Sequence, residues 1–155
     1  MLVVTAEESY RKGLEALGQG RRLEALALFE AAIELDRQKG LGRPQGRYLS
    51  YYGLCLSPVA GRGHEALDFC RQASQLEQFD PDVCCNLGRV LMRLGRRREA
   101  FDAFLRGLKV EPRHARIRRA LRVMGVRRRP VLSFLPRQHP LNVLLGRLRP
   151  RLRAA

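Results

Sequence analysis

Two stretches, Glu24-Ala25-Leu26-Ala27-Leu28-Phe29-Glu30-Ala31-Ala32-Ile33-Glu34-Leu35 and Glu99-Ala100-Phe101-Asp102-Ala103-Phe104-Leu105-Arg106-Gly107-Leu108-Lys109-Val110, repeat one pattern, and a third copy runs from Glu65 to Leu76. Each copy has a small residue, a larger residue of apolar character four positions on, and a small residue three further: Ala25, Phe29, Ala32; Ala66, Cys70, Ala73; Ala100, Phe104, Gly107. With 3.6 residues per turn these positions share one helical face, and the small residues on it let a second helix approach closely.

Outward from that stripe, each copy is preceded by another amphipathic segment carrying a glycine, Gly13, Gly53 or Gly88, where a side chain would obstruct a paired helix. Between the two segments lies a glycine-bearing turn: Leu17-Gly18-Gln19-Gly20-Arg21, Val59-Ala60-Gly61-Arg62-Gly63 and Leu94-Gly95-Arg96-Arg97. Glycine supplies the backbone freedom that ends a helix. Ala66 and Ala100 are 34 residues apart, but Ala25 and Ala66 are 41 apart. The glycine spacings, 40 from Gly13 to Gly53 and 35 from Gly53 to Gly88, put most of the excess in a loop around Lys39-Gly40-Leu41-Gly42-Arg43-Pro44-Gln45-Gly46.

The third copy, with Leu87-Gly88, Leu91, Gly95, Ala100, Phe104 and Pro112 in register, resembles the tetratricopeptide family, Cys84 standing where the family has tryptophan. The first copy keeps Gly13, Gly20, Ala25, Phe29 and Ala32 but has Ser9 and Lys12 at places the family makes apolar; the second keeps Tyr52-Gly53, Leu56, Ala66 and Ala73. The resemblance implies an all-α fold, an α-solenoid of three helix-turn-helix repeats at about 6–37, 46–78 and 81–112. A helix over 114–126, with Ile117, Ala120, Leu121 and Met124 on one face, would cap the array, because the last repeat otherwise leaves its apolar side in water. The repeat domain so expected covers 6–126, and an Arg- and Pro-rich tail covers 127–155. Pro130, Pro136, Pro140 and Pro150 bar one long helix there, leaving a short amphipathic helix near 141–149 on Leu141, Leu144, Leu145 and Leu148.

Composition agrees with a globular helical chain: 155 residues, 45% apolar, 29% charged, 6% aromatic and no Trp, which predicts a core of Leu and Ala. The net charge of +15 is concentrated at one end. Residues 1–112 hold all 15 acids against 17 Lys and Arg, whereas residues 113–155 carry 13 Arg and no acid. The start of the chain has no secretory pattern and no apolar run approaches a membrane span, so a cytoplasmic location is expected. Cys84 and Cys85 are adjacent, and Cys55 and Cys70 stand alone; with no Cys-x-x-Cys pair, all four read as buried reduced thiols.

No catalytic, metal or cofactor constellation is legible. His64, His114 and His139 are far apart, and the glycine turns lack the Gly-Lys-Ser/Thr ending of a phosphate loop. The expectation is therefore a non-enzymatic interaction module that needs no cofactor. The resemblance implies a concave groove formed by the first helix of each pair, lined by Tyr10, Leu14 and Leu17, then Tyr51 and Leu54, then Asn86, Arg89 and Arg93, with Arg119 of the cap extending the row. A lining that grades from apolar and aromatic to cationic suits a protein or peptide with a hydrophobic anchor and acidic groups. Family members that grip a terminal carboxylate use Lys, Asn and Arg on these helices; here Tyr10, Leu14, Tyr51 and Asp82 take several of those places, so a chaperone-tail receptor is not expected. The tail cations, among them Arg127, Arg128, Arg129, Arg147 and Arg149, suit nucleic-acid phosphates, an anionic lipid surface, or a return onto the array or an acidic partner.

Overall fold

The protein is described from a computed structural model, which places residues 5–38 and 44–125. Among them are seven helices and no strand: α1 (Ala6–Gly18), α2 (Arg22–Gln38), α3 (Gly46–Leu56), α4 (Gly63–Leu76), α5 (Pro81–Arg93), α6 (Arg97–Val110) and α7 (Ala115–Met124). α1 packs on α2, α3 on α4 and α5 on α6; the pairs meet through α2 with α3, α4 with α5, and α3 with α5. The described residues up to Val123 form one compact unit. The expected short helix near 141–149 and the tail residues Arg127, Arg128, Arg129, Arg147 and Arg149 lie outside the described residues.

Helix starts follow from local chemistry. Thr5 caps α1 by accepting the Glu8 N–H at 3.1 Å. Asp80 caps α5 by accepting the N–H groups of Asp82 (2.7 Å) and Val83 (3.0 Å), with Pro81 at the first helical position, where no N–H is needed. Residues 39–43 of the expected loop lie outside the described residues; α3 has two carboxylates at its start, where Asp36 accepts the Gln45 N–H at 3.0 Å and Glu77 accepts the Arg47 N–H at 3.1 Å. Carboxylates there satisfy free donors and oppose the positive helix end, tying the start of α3 to α2 and to the end of α4. Gly20, Gly61 and Gly95 hold the turns at φ of 74–79°, left-handed backbone that side chains resist. α7 stops at Met124, with Gly125 left-handed at φ 73°, slightly before the position expected from the downstream arginines and proline.

The paired helices touch where the sequence is small. A Cβ on Gly13 would lie 2.7 Å from Cε1 of Phe29; on Gly53, 2.7 Å from the Ala66 carbonyl; on Gly88, inside the contact distance of the Phe104 ring. Phe29, Cys70 and Phe104, the large members of the three stripes, are fully buried on those glycines or beside them. Gly107 makes the same accommodation for Ile117 of α7. The core is not the purely aliphatic one composition suggests. Tyr10, Phe29, Tyr48 and Tyr51 form one buried cluster, with ring centroids 5.0–5.8 Å apart. Few aromatics in the whole chain still make an aromatic core when the repeats gather them at one end. All four cysteines are free and buried, and burial pushes the thiols of Cys55 and Cys70 up to about 11 and 12.

Gly88→Ala should lower the free energy of unfolding by about 1–3 kcal/mol, because overpacking against the Phe104 ring outweighs the helix-propensity gain of about 1 kcal/mol. Gly18→Ala, where the added carbon meets nothing within 4 Å, should be neutral or stabilising. Urea unfolding midpoints followed by circular dichroism check both.

Candidate binding groove

The first helices α1, α3, α5 and α7 present their side chains to one another across the array. At the α1 end, Arg47 of α3 lies 5.2 Å from the ring centroids of both Tyr10 and Tyr48 and donates to Glu7 at 2.7 Å. The Tyr48 hydroxyl donates to the same Glu7 carboxylate at 2.9 Å. Glu7 and Tyr48 are 41 residues apart, the long repeat interval, so this contact joins like positions of successive first helices.

At the other end the joining side chain is Arg116 of α7. Its Nη1 donates to the Tyr51 hydroxyl and to Asp82 Oδ1, both at 2.7 Å, and its Nη2 donates to Asn86 Oδ1 at 2.8 Å. The guanidinium also lies 5.5 Å from the Tyr51 ring centroid. Asn86 passes the connection on by donating to Ser50 Oγ at 3.1 Å, and His114 Nε2 meets Asp82 Oδ1 at 3.1 Å while its Nδ1 accepts the Ile117 N–H at 3.3 Å. Since Nδ1 accepts, the ring proton belongs on Nε2, which donates to the carboxylate. Arg116 thus ties α7 to two other elements, α3 and α5, through one planar fork.

Beside this knot lies a cationic cleft of about 570 Å³ between α5 and α7, lined by Arg89, Met92, Arg93, Arg116, Arg119, Ala120 and Val123. Arg116 is neutralised by Asp82, but among the described residues no carboxylate pairs with Arg89, Arg93 or Arg119. Arg89 is half-buried, and its pKa is lowered, first by burial and then by the positive charge of Arg116, with Arg93 and Arg22 adding to it. A desolvated guanidinium among like charges is unfavourable until an anion arrives.

Two models of the tetratricopeptide repeat match this chain, at residues 10–81 and 81–114, and together cover well over half of it. The chain belongs to the tetratricopeptide repeat family. Solved structures agree on the fold: the tetratricopeptide domain of Arabidopsis OM64 is similar with a TM-score of 0.61 at 18% identity, over 77% of this chain and 93% of that domain. YrrB, described as a tetratricopeptide protein with an unusual peptide-binding site, gives a TM-score of 0.58 at 18% identity over 77% of this chain; the match spans 58% of YrrB. No curated protein matches. Tetratricopeptide proteins are in general non-enzymatic interaction modules, and this one is a protein-interaction module by family. Among the described residues no helix is long and apolar enough to cross a membrane, and no group of His, Cys, Asp or Glu is arranged to hold a metal ion.

The tetratricopeptide face differs in detail from a simple projection of the family's groove. Tyr10, Tyr51, Leu54 and Asn86 are 8, 6, 5 and 0% exposed, so they form the packed floor between helices rather than an open wall. Leu14, Leu17 and Arg89 are half-buried, and Arg93 and Arg119 are exposed. Sequence reasoning missed Arg116, which sits off the apolar face of α7 and looks like a solvated charge. Its interval of 34 residues from Asp82, the repeat length, is the one signal that places the two side by side.

Arg116→Ala should cost about 1–3 kcal/mol of stability, since the buried Asn86 carbonyl loses its donor, and Arg116→Lys should restore less than half, because one ammonium cannot replace the fork. Urea unfolding of the single variants and of an Arg116→Ala/Asp82→Ala double-mutant cycle measures this. Burial raises the phenols of Tyr10 and Tyr51, and burial followed by the Glu7 contact raises that of Tyr48 to about 12. An unfolded tyrosine ionises near about 10. The stability these neutral phenols contribute is therefore complete below about pH 10 and is lost as pH rises toward 12. In a Tyr52→Phe background, phenolate absorbance should rise together with loss of helical circular dichroism and not before it.

Proposed function

We propose that the chain is a non-enzymatic adaptor, acting in the cytoplasm, whose first-helix face binds a polypeptide segment carrying an apolar anchor and acidic side chains. The observation that carries this reading is Arg89, half-buried, beside Arg93, Arg116 and Arg119 and with no paired carboxylate among the described residues. Carboxylates of a bound segment would neutralise the cluster through two-pronged contacts, while Met92, Ala120 and Val123 in the same cleft, and Leu14 and Leu17 further along, receive apolar side chains. YrrB's described peptide-binding site supports the same use of the fold here. The Arg116 knot gives the cleft a fixed wall, which keeps the cost of ordering low on binding.

Fluorescence anisotropy with a labelled peptide of alternating leucine and glutamate tests it. The full chain should bind with an affinity that falls as salt rises, and Arg89→Glu should weaken it about tenfold or more. A leucine and lysine peptide should not bind. Equal affinity in wild type and Arg89→Glu, with helicity intact in both, would refute the reading.

A second reading rests on sequence alone: 8 arginines and no acid in residues 127–155 favour nucleic-acid phosphates as the tail's partner. Duplex binding that falls steeply with salt and disappears in a chain ending at Val126, which keeps α7, would support it.

A further inference from the structure

A second groove runs on the opposite side of the repeats, between the second helices α4 and α6, floored by Leu87 and Leu91 of α5. One part, of about 410 Å³, lies between Arg71 and Gln75 on α4 and Glu99, Asp102 and Arg106 on α6. The next, of about 510 Å³, shares Ser74, Gln75 and Arg106 with it and ends at Phe79 and Val110. From Glu99 to Val110 the helix rises about 16 Å, the span of about five extended residues.

Its chemistry differs from that of the cationic cleft. Glu99 is held by Arg96 at 2.6 Å and by Arg71 at 3.5 Å, but Asp102 has no cation and Arg106 and Lys109 have no carboxylate within ion-pair distance among the described residues. The groove is therefore dipolar, negative at Asp102 and positive toward Lys109. Its positive end carries exposed apolar surface: Phe79 is 80% exposed and Val110 44%. A ring that open is unusual on a chain with few aromatics, and it stands directly beside a concavity. Along the wall, the side chains of Ser74, Gln75 and Gln78 make no hydrogen bond among the described residues. Carboxamides present a donor and an acceptor together, as a peptide main chain does.

From this we infer that the α4–α6 groove is a second docking surface, which takes an extended polypeptide segment with a basic residue at one end and an apolar residue followed by an acidic one at the other. The basic group meets Asp102, the main chain runs along Ser74, Gln75 and Gln78, the apolar side chain packs on Phe79 and Val110, and the acid meets Arg106 and Lys109. This gives the molecule two independent faces with different charge preferences, as an adaptor joining two proteins requires.

The test is a titration of the isotopically labelled full chain, followed by nuclear magnetic resonance, with the blocked peptide Arg-Ser-Ser-Leu-Glu and with its charge-reversed counterpart Glu-Ser-Ser-Leu-Arg. The first peptide should move the side-chain amides of Gln75 and Gln78 and the backbone signals of Phe79 and Val110. Affinity should fall at least fivefold in Asp102→Lys and in Arg106→Glu and stay unchanged in Arg89→Glu. The double variant Asp102→Lys/Arg106→Glu should prefer the reversed peptide, a readout that simple loss of folding cannot produce. Shifts confined to the Arg89 cleft, equal affinity for both peptides, or no shifts at all would overturn the inference. So would the same signals moving with protein concentration alone, which marks a second copy, or with phosphatidylserine vesicles and not the peptide, which marks a lipid surface.

Discussion

The structure depends on the contact of a bulky side chain of one helix with a residue that has no side chain on its partner. Phe29 on Gly13, Cys70 on Gly53 and Phe104 on Gly88 bring each pair close enough for the small residues on either side to be fully covered. Attraction between packed atoms falls off steeply with separation, so a carbon inserted at the contact would cost more than its own volume implies. Each repeat buries only one side by itself. Stacking supplies the rest, and the use of Gly107 to admit Ile117 shows α7 entering the array by the same rule.

Polar side chains then decide how successive first helices are tied together. At one end Glu7, Arg47 and Tyr48 join α1 to α3; at the other, Arg116 joins α7 to α5 and α3. The charged members of both ties keep some exposure, and exposed ion pairs contribute little individually. Their weight comes from the buried members they satisfy, Asn86 and Ser50 above all, since an amide sealed without partners is expensive. Asp82 holds Arg116, and among the described residues no carboxylate pairs with Arg89 beside it.

Two charge arrangements on one small scaffold follow from the two kinds of helix. First helices share a face built around aromatic rings and arginines; second helices face away, where Asp102, Arg106 and Lys109 alternate with exposed apolar groups. No ligand need be shared between them, because the floor residues Leu87 and Leu91 of α5 belong to the second groove while Arg89 and Met92, on the other side of that helix, belong to the first.

By itself the sequence determined the helix pairing. Small-large-small stripes at helical spacing, glycines opposite them and glycine turns are local signals, and three copies in register leave little freedom to the backbone. The excess of residues around Lys39–Gly46 was equally legible from spacing. Only the tertiary structure decided which side chains of the first-helix face remain open: Tyr10, Tyr51 and Asn86 are drawn into the floor, whereas Arg89 stays at the margin, with no paired carboxylate among the described residues. It also decided that Arg116 reaches inward. A helical wheel gives a side chain's direction but not what stands opposite, and a long flexible arginine goes wherever acceptors 30 to 65 residues away happen to converge.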